Sequence, residues 1–213
     1  PLATVVDQEV SASSGLEKEI QVLDGARAPD GLDPLEVVDA QLDASLGTVE
    51  VRNKQTVVVK PNESFFGVGT VTFTVNDKLG DPDRRVTGKV KVTVKDRPGK
   101  PQPPTVAEYG NEFVVLTWQP PEARGGTIDT YELVSKDGSV KKTDCTSTTC
   151  RLTAADNIKN DTTYTFTVRA HNEVSDKNGG WSEPSDESKT VRPDVRPDPA
   201  TVGPTLTYEP ALN

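Results

Sequence analysis

The sequence is poor in the residues that carry out chemistry. It has a single histidine, His171, and two cysteines in 213 residues. No nucleophile motif lies at a working distance from that histidine, which reads as a loop residue. No glycine-rich phosphate loop, metal-ligand cluster or paired-carboxylate motif stands out either, so neither an enzyme nor a cofactor is expected. Positive charge is also short, with 24 Lys and Arg against 33 Asp and Glu for a net −9. Such a field repels phosphate backbones and argues against nucleic acid as a partner. Apolar runs long enough to span a bilayer, about 18 residues, are missing. Pro1 to Val10 lacks the basic and apolar regions of an export signal. The expectation is therefore a monomeric piece of a longer extracytoplasmic protein, with export signal and anchor lying elsewhere. No stretch gives Arg-Gly-Asp. Aromatics make up only 5% and apolar residues 33%, thin for one large core but suited to two small sandwiches of about 100 residues each.

Two proline-rich stretches divide the chain, Arg97 to Pro104 and Val191 to Pro199. Proline fixes φ and favours extended backbone, so both read as semi-rigid connectors that hold their neighbours at defined angles. The boundaries that follow are a first sandwich over 1–96, a linker over 97–104 and a second sandwich over 105–192. Residues 193–213 form a linker and the start of a further domain, since Thr201 to Tyr208 resembles Thr105 to Tyr109. The chain is expected to be a rigid all-β tandem.

Alternation carries the strand assignment. Val49 and Val51, Val57 and Val59, Val71, Phe73 and Val75, and Val90, Val92 and Val94 keep a period of two, the pattern of half-buried antiparallel strands. Turn formers such as Asp30-Gly31 and Thr87-Gly88 separate them. Further on, strands are predicted at 113–119, 128–136, 139–144, 150–154, 162–171 and 187–192. Their inward positions are Val114, Leu116 and Trp118, then Tyr131 and Leu133, then Tyr164, Phe166, Val168 and Ala170. Cys145 and Cys150 are close enough to close a small hairpin loop. A disulfide is the first reading and places the chain outside the cytoplasm; two free surface thiols and a metal site are the alternatives.

Residues 98–192 resemble a fibronectin type III domain. Trp118-Gln-Pro-Pro121 fits its second strand, Ile128-Asp-Thr-Tyr131-Glu-Leu133 its third and Tyr164 to Asn172 its sixth. Ile158, six residues before Tyr164, has the spacing of a tyrosine corner, in which the hydroxyl bonds back to the chain before that strand. Residues 1–96 resemble a bacterial immunoglobulin-like, cadherin-like repeat through Pro61, Phe65, Gly67, Phe73 and Asp77. That family often carries a calcium loop. The corresponding stretch, Leu23 to Leu35, retains only Asp24, Asp30 and Asp33 as acids, so turn and solubility roles are preferred to a weak calcium site.

Gly179-Gly-Trp181-Ser182-Glu183-Pro184-Ser185 precedes the last strand. Its core resembles the Trp-Ser-x-Trp-Ser signature of cytokine-receptor type III domains, where tryptophan stacks on arginine from the sixth strand. Arg169, between inward Val168 and Ala170, points outward to meet Trp181. Pro184 stands where the receptor family has its second tryptophan, and the first domain lacks that family's disulfides. The combination is similar to surface proteins of gut bifidobacteria. The resemblance implies a host protein partner, first a cytokine of the tumour necrosis factor type. Trp181 to Ser185 and Arg169 are then candidate binding residues, with Glu173, Asp176 and Lys177 of the loop Asn172 to Gly180. A passive spacer or adhesion stalk is the alternative function, and carbohydrate binding a second one.

Overall fold

The computed structural model describes residues 1–195. The expected further domain, with its first strand at Thr201 to Tyr208, and most of the 193–213 segment lie outside the described residues. The chain gathers into two compact units. One comprises Pro1–Pro101, Pro120–Thr130 and Arg169–Pro184. The other comprises Gln102–Gln119, Tyr131–Val168 and the described residues from Ser185 onward.

In the first unit, one sheet holds β1 (Gln8–Ser13), β3 (Glu36–Gln41), β6 (Gly67–Asn76) and β7 (Val86–Lys95) in the order β1-β7-β6-β3. A second holds β2 (Lys18–Ile20), β4 (Gly47–Arg52) and β5 (Thr56–Pro61) in the order β2-β5-β4. Val71, Phe73, Val75, Val90, Val92 and Val94 of one sheet and Ile20, Val57 and Val59 of the other are all buried. Period two thus points to one face of each strand, as expected, although β5 also buries Val58. Phe73 lies opposite Gly88 in the β6–β7 register. A Cβ at Gly88 would come within 2.4 Å of the Phe73 ring, so only glycine leaves room for that ring. Two expectations fail: Thr87-Gly88 makes no turn but lies inside β7, and the strands are not all antiparallel. β1 runs parallel to β7, from Gln8 beside Val90 to Ser13 beside Lys95. A parallel pair needs a long connection, which five intervening strands supply.

In the second unit, β8 (Thr105–Gly110), β9 (Phe113–Thr117) and β12 (Thr149–Leu152) form a sheet in the order β12-β9-β8. β10 (Thr130–Ser135), β11 (Lys141–Cys145) and β13 (Phe166–His171) form another in the order β11-β10-β13, with the ends of β10 and β13, at Thr130 and Arg169–His171, assigned to the first unit. Every predicted inward position here is buried. Trp118 meets Tyr131 edge-on at 5.2 Å, and Tyr164 stacks on Phe166 at 5.7 Å. The Tyr164 hydroxyl accepts a hydrogen bond from the Lys159 N–H at 3.0 Å, beside buried Ile158, which is the tyrosine corner that the spacing foretold.

One connection differs from expectation. Cys145 and Cys150 are bonded to each other, but they do not close a hairpin. Cys145 ends β11 in one sheet and Cys150 sits in β12 of the other, so the bond fastens a corner where the chain changes sheets. In the stretch 97–104, Pro98, Gly99, Pro101 and Pro104 are buried, and the Gly99 N–H donates to the Glu122 carbonyl at 2.8 Å.

Candidate functional site

β13 ends in the alternation Val168, Arg169, Ala170, His171, with Val168 and Ala170 fully buried. Arg169 and His171 therefore emerge on the opposite side. Both meet Trp181: the Arg169 guanidinium lies over the indole, 4.3 Å from its centroid, and the His171 ring is 4.8 Å away and tilted by 58°. Asp129 holds His171 through Nδ1 at 2.7 Å. The indole, itself half-buried, is thus placed by a cation and by an imidazole anchored to a carboxylate. Arg169 against Trp181 was foreseen. The roles of His171 and Asp129 were not, because nothing in the spacing of residues 129 and 171 announces their meeting; His171 is no loop residue but ends β13, where the strand predicted over 162–171 also ends.

Beyond Trp181 the expected strand at 187–192 is absent. A stepped ribbon takes its place. The N–H groups of Ser182, Ser185, Ser188 and Val191 donate to the carbonyls of Ala170, Val168, Phe166 and Tyr164 at 2.8 to 2.9 Å. Three residues of ribbon cover two of β13, so every step leaves a strand N–H without a facing carbonyl. The serine hydroxyls supply the acceptor: those of Ser182, Ser185 and Ser188 accept from the N–H groups of Ala170, Val168 and Phe166 at 2.9 to 3.0 Å. Each hydroxyl donates in turn to the carbonyl of the following residue. Ser182, Ser185, Ser188 and Val191 are buried, whereas Glu183, Pro184, Asp186, Glu187, Lys189 and Thr190 are exposed. Ser188, which the motif did not include, plays the same part as the other two. The three-residue spacing of the serines was the available signal.

The loop Asn172 to Gly180 is more constrained than a free contact patch. Glu173 accepts from the Thr127 N–H at 2.8 Å and from Lys95 Nζ at 3.1 Å. The Thr127 bond, with help from Lys95, holds its carboxyl below the ordinary range. Lys177 reaches Glu63 at 2.8 Å and lowers the Glu63 pKa by that hydrogen bond. Asp176 accepts from the N–H groups of Asn178 and Gly180, both at 2.9 Å. All three side chains thus have partners within the first unit, while Glu173 and Lys177 remain exposed. Asp96, unremarked in the sequence, organises the same region. Its buried carboxylate accepts from the Ser14 hydroxyl and from Arg124 at 3.0 Å, while its carbonyl accepts from Asn172 Nδ2 at 2.8 Å.

Asp24, Asp30 and Asp33 are exposed and are not brought together. Among the described residues no three histidine, cysteine or acidic side chains form a group able to hold a metal, and none of the described helices is long and apolar enough to cross a membrane.

Residues 1–95 match the model of the bacterial Ig domain, and residues 99–188 match that of the fibronectin type III domain. Among solved structures, a crystal structure of consecutive titin domains is 20% identical with a TM-score of 0.53. The likeness covers 87% of this chain and 61% of that one, so this chain spans less than two thirds of its length. Fibronectin(III)-like modules of CbhA from Clostridium thermocellum are 17% identical, with a TM-score of 0.36 and full coverage of both chains. A titin module from human cardiac muscle is 22% identical, with a TM-score of 0.35 over 44% of this chain and 89% of the module. The first likeness is one of fold; the other two superpose too loosely to support anything further. No catalytic family is among these matches.

Proposed function

We propose that this tandem of a bacterial Ig domain and a fibronectin type III domain is a non-enzymatic extracellular module that binds a host protein, first a cytokine of the tumour necrosis factor type. Trp181 to Ser185 serve that binding by ordering an edge. Both domain types are typical of extracellular and surface proteins, and the parent protein is taken to supply the anchor. The observation that carries the reading is the packing of Trp181 against both Arg169 and His171 at the head of the serine ribbon. A hydrogen-bonded, stacked edge loses little freedom on association, and lost freedom is what weakens loop-borne interfaces. The exposed Glu183 and Pro184 sit on that edge. The indole itself acts on binding through order, not through contact. Comparing Trp181→Ala with wild type by surface plasmon resonance tests this: the variant stays folded and binds more weakly. Unchanged affinity in a folded variant would overturn the role given to the motif.

A passive spacer in a surface array is the second reading.

A further inference from the structure

Asn178-Gly179 is the one Asn-Gly pair in the chain. It sits at the turn that delivers Trp181. Both residues are exposed, and Gly179 has φ +64°. With no side chain on the following residue, Gly179 puts no bulk in the way of its nitrogen's approach to the Asn178 carboxamide carbon, and glycine tolerates the backbone change that such an approach needs. Every other asparagine followed by a residue has a bulkier neighbour, and Asn76 and Asn172 are also buried.

We infer that Asn178-Gly179 is a site of slow self-modification that releases the turn ahead of Trp181. The Gly179 nitrogen, giving up its proton to water, bonds to the Asn178 side-chain carbonyl carbon, and ammonia leaves with a proton from solvent. The resulting succinimide then takes up one water at either carbonyl, leaving an aspartyl or isoaspartyl carboxylate at position 178. No oxidant, reductant or enzyme is required. The consequence is set by Asp176. It accepts from the Asn178 N–H at 2.9 Å, from Asn178 Nδ2 at 3.2 Å and from the Gly180 N–H at 2.9 Å, while its carbonyl accepts from the Gly179 N–H at 3.0 Å. Modification replaces the Nδ2 donor with a carboxylate facing a carboxylate. The isoaspartyl form also lengthens the backbone of the turn, which includes the Trp181 N–H bond to the Asn178 carbonyl at 3.3 Å. The Gly179 bond must open before attack, so the reaction in the folded chain waits on loop opening and quickens as pH rises.

The full chain is incubated at mildly alkaline pH, folded and in denaturant, then digested and analysed by mass spectrometry with an isoaspartate assay. The inference expects acid and isoaspartate to accumulate at position 178 in the folded chain and nowhere else, and Asn178→Gln to remain unmodified. An intact Asn178 in the folded chain over a period that converts the denatured chain would overturn it. Hydrogen exchange of folded Asn178→Asp reads the second half. Exchange at Gly179 to Trp181 rises several-fold if the turn is released; exchange matching wild type would overturn the release.

Discussion

Trp118 is 4% exposed and packs edge-on against Tyr131, whereas Trp181 is half-buried and leans on Arg169 and His171. Truncating the first opens a cavity in a small core, at about 3–5 kcal/mol. Truncating the second removes a cation–π contact worth about 0.5–2 kcal/mol. Thermal melts of Trp118→Ala and Trp181→Ala should therefore differ widely, and equal shifts would contradict these placements. Both positions were legible, because alternation puts residue 118 inward and residue 169 outward. Partners distant in sequence were not legible. Asp96 with Ser14 and Arg124, and His171 with Asp129, depend on how separate segments meet, and charged or polar types alone do not disclose that.

Among elements, the last edge departs furthest from the alternating rule. A strand repeats every two residues; this ribbon repeats every three, and Ser182, Ser185 and Ser188 replace the carbonyls that the longer step withdraws. Ser185→Ala leaves the buried Val168 N–H without its acceptor. The expected cost is about 1–3 kcal/mol, with faster amide exchange at Val168 as the local sign. Unchanged exchange there would mean that the hydroxyl is dispensable. The disulfide was foreseen from spacing, but its place between sheets was not, since spacing does not say which sheet each cysteine joins. Its ring is short, so replacing both cysteines by serine should lower stability by only about 2 kcal/mol in the chain-entropy model. Denaturant unfolding checks this, and a loss of several times that size would show that the corner depends on more than loop closure.

At the scale of the whole molecule, the all-β architecture was the most legible feature, because period two recurs in both halves and the landmark residues Trp118, Tyr131, Ile158 and Tyr164 keep their spacing. The candidate site was legible as a motif and less so as a surface. The side chains expected to meet a ligand, Glu173, Asp176 and Lys177, are held by Thr127, Lys95, Glu63 and the loop's own backbone. The most direct test is surface plasmon resonance of the whole folded chain against a panel of host cytokines that includes the tumour necrosis factor type. Saturable binding to a member of that type is the predicted result, and no binding above background to any cytokine in the panel would contradict the proposed function and leave the spacer in its place.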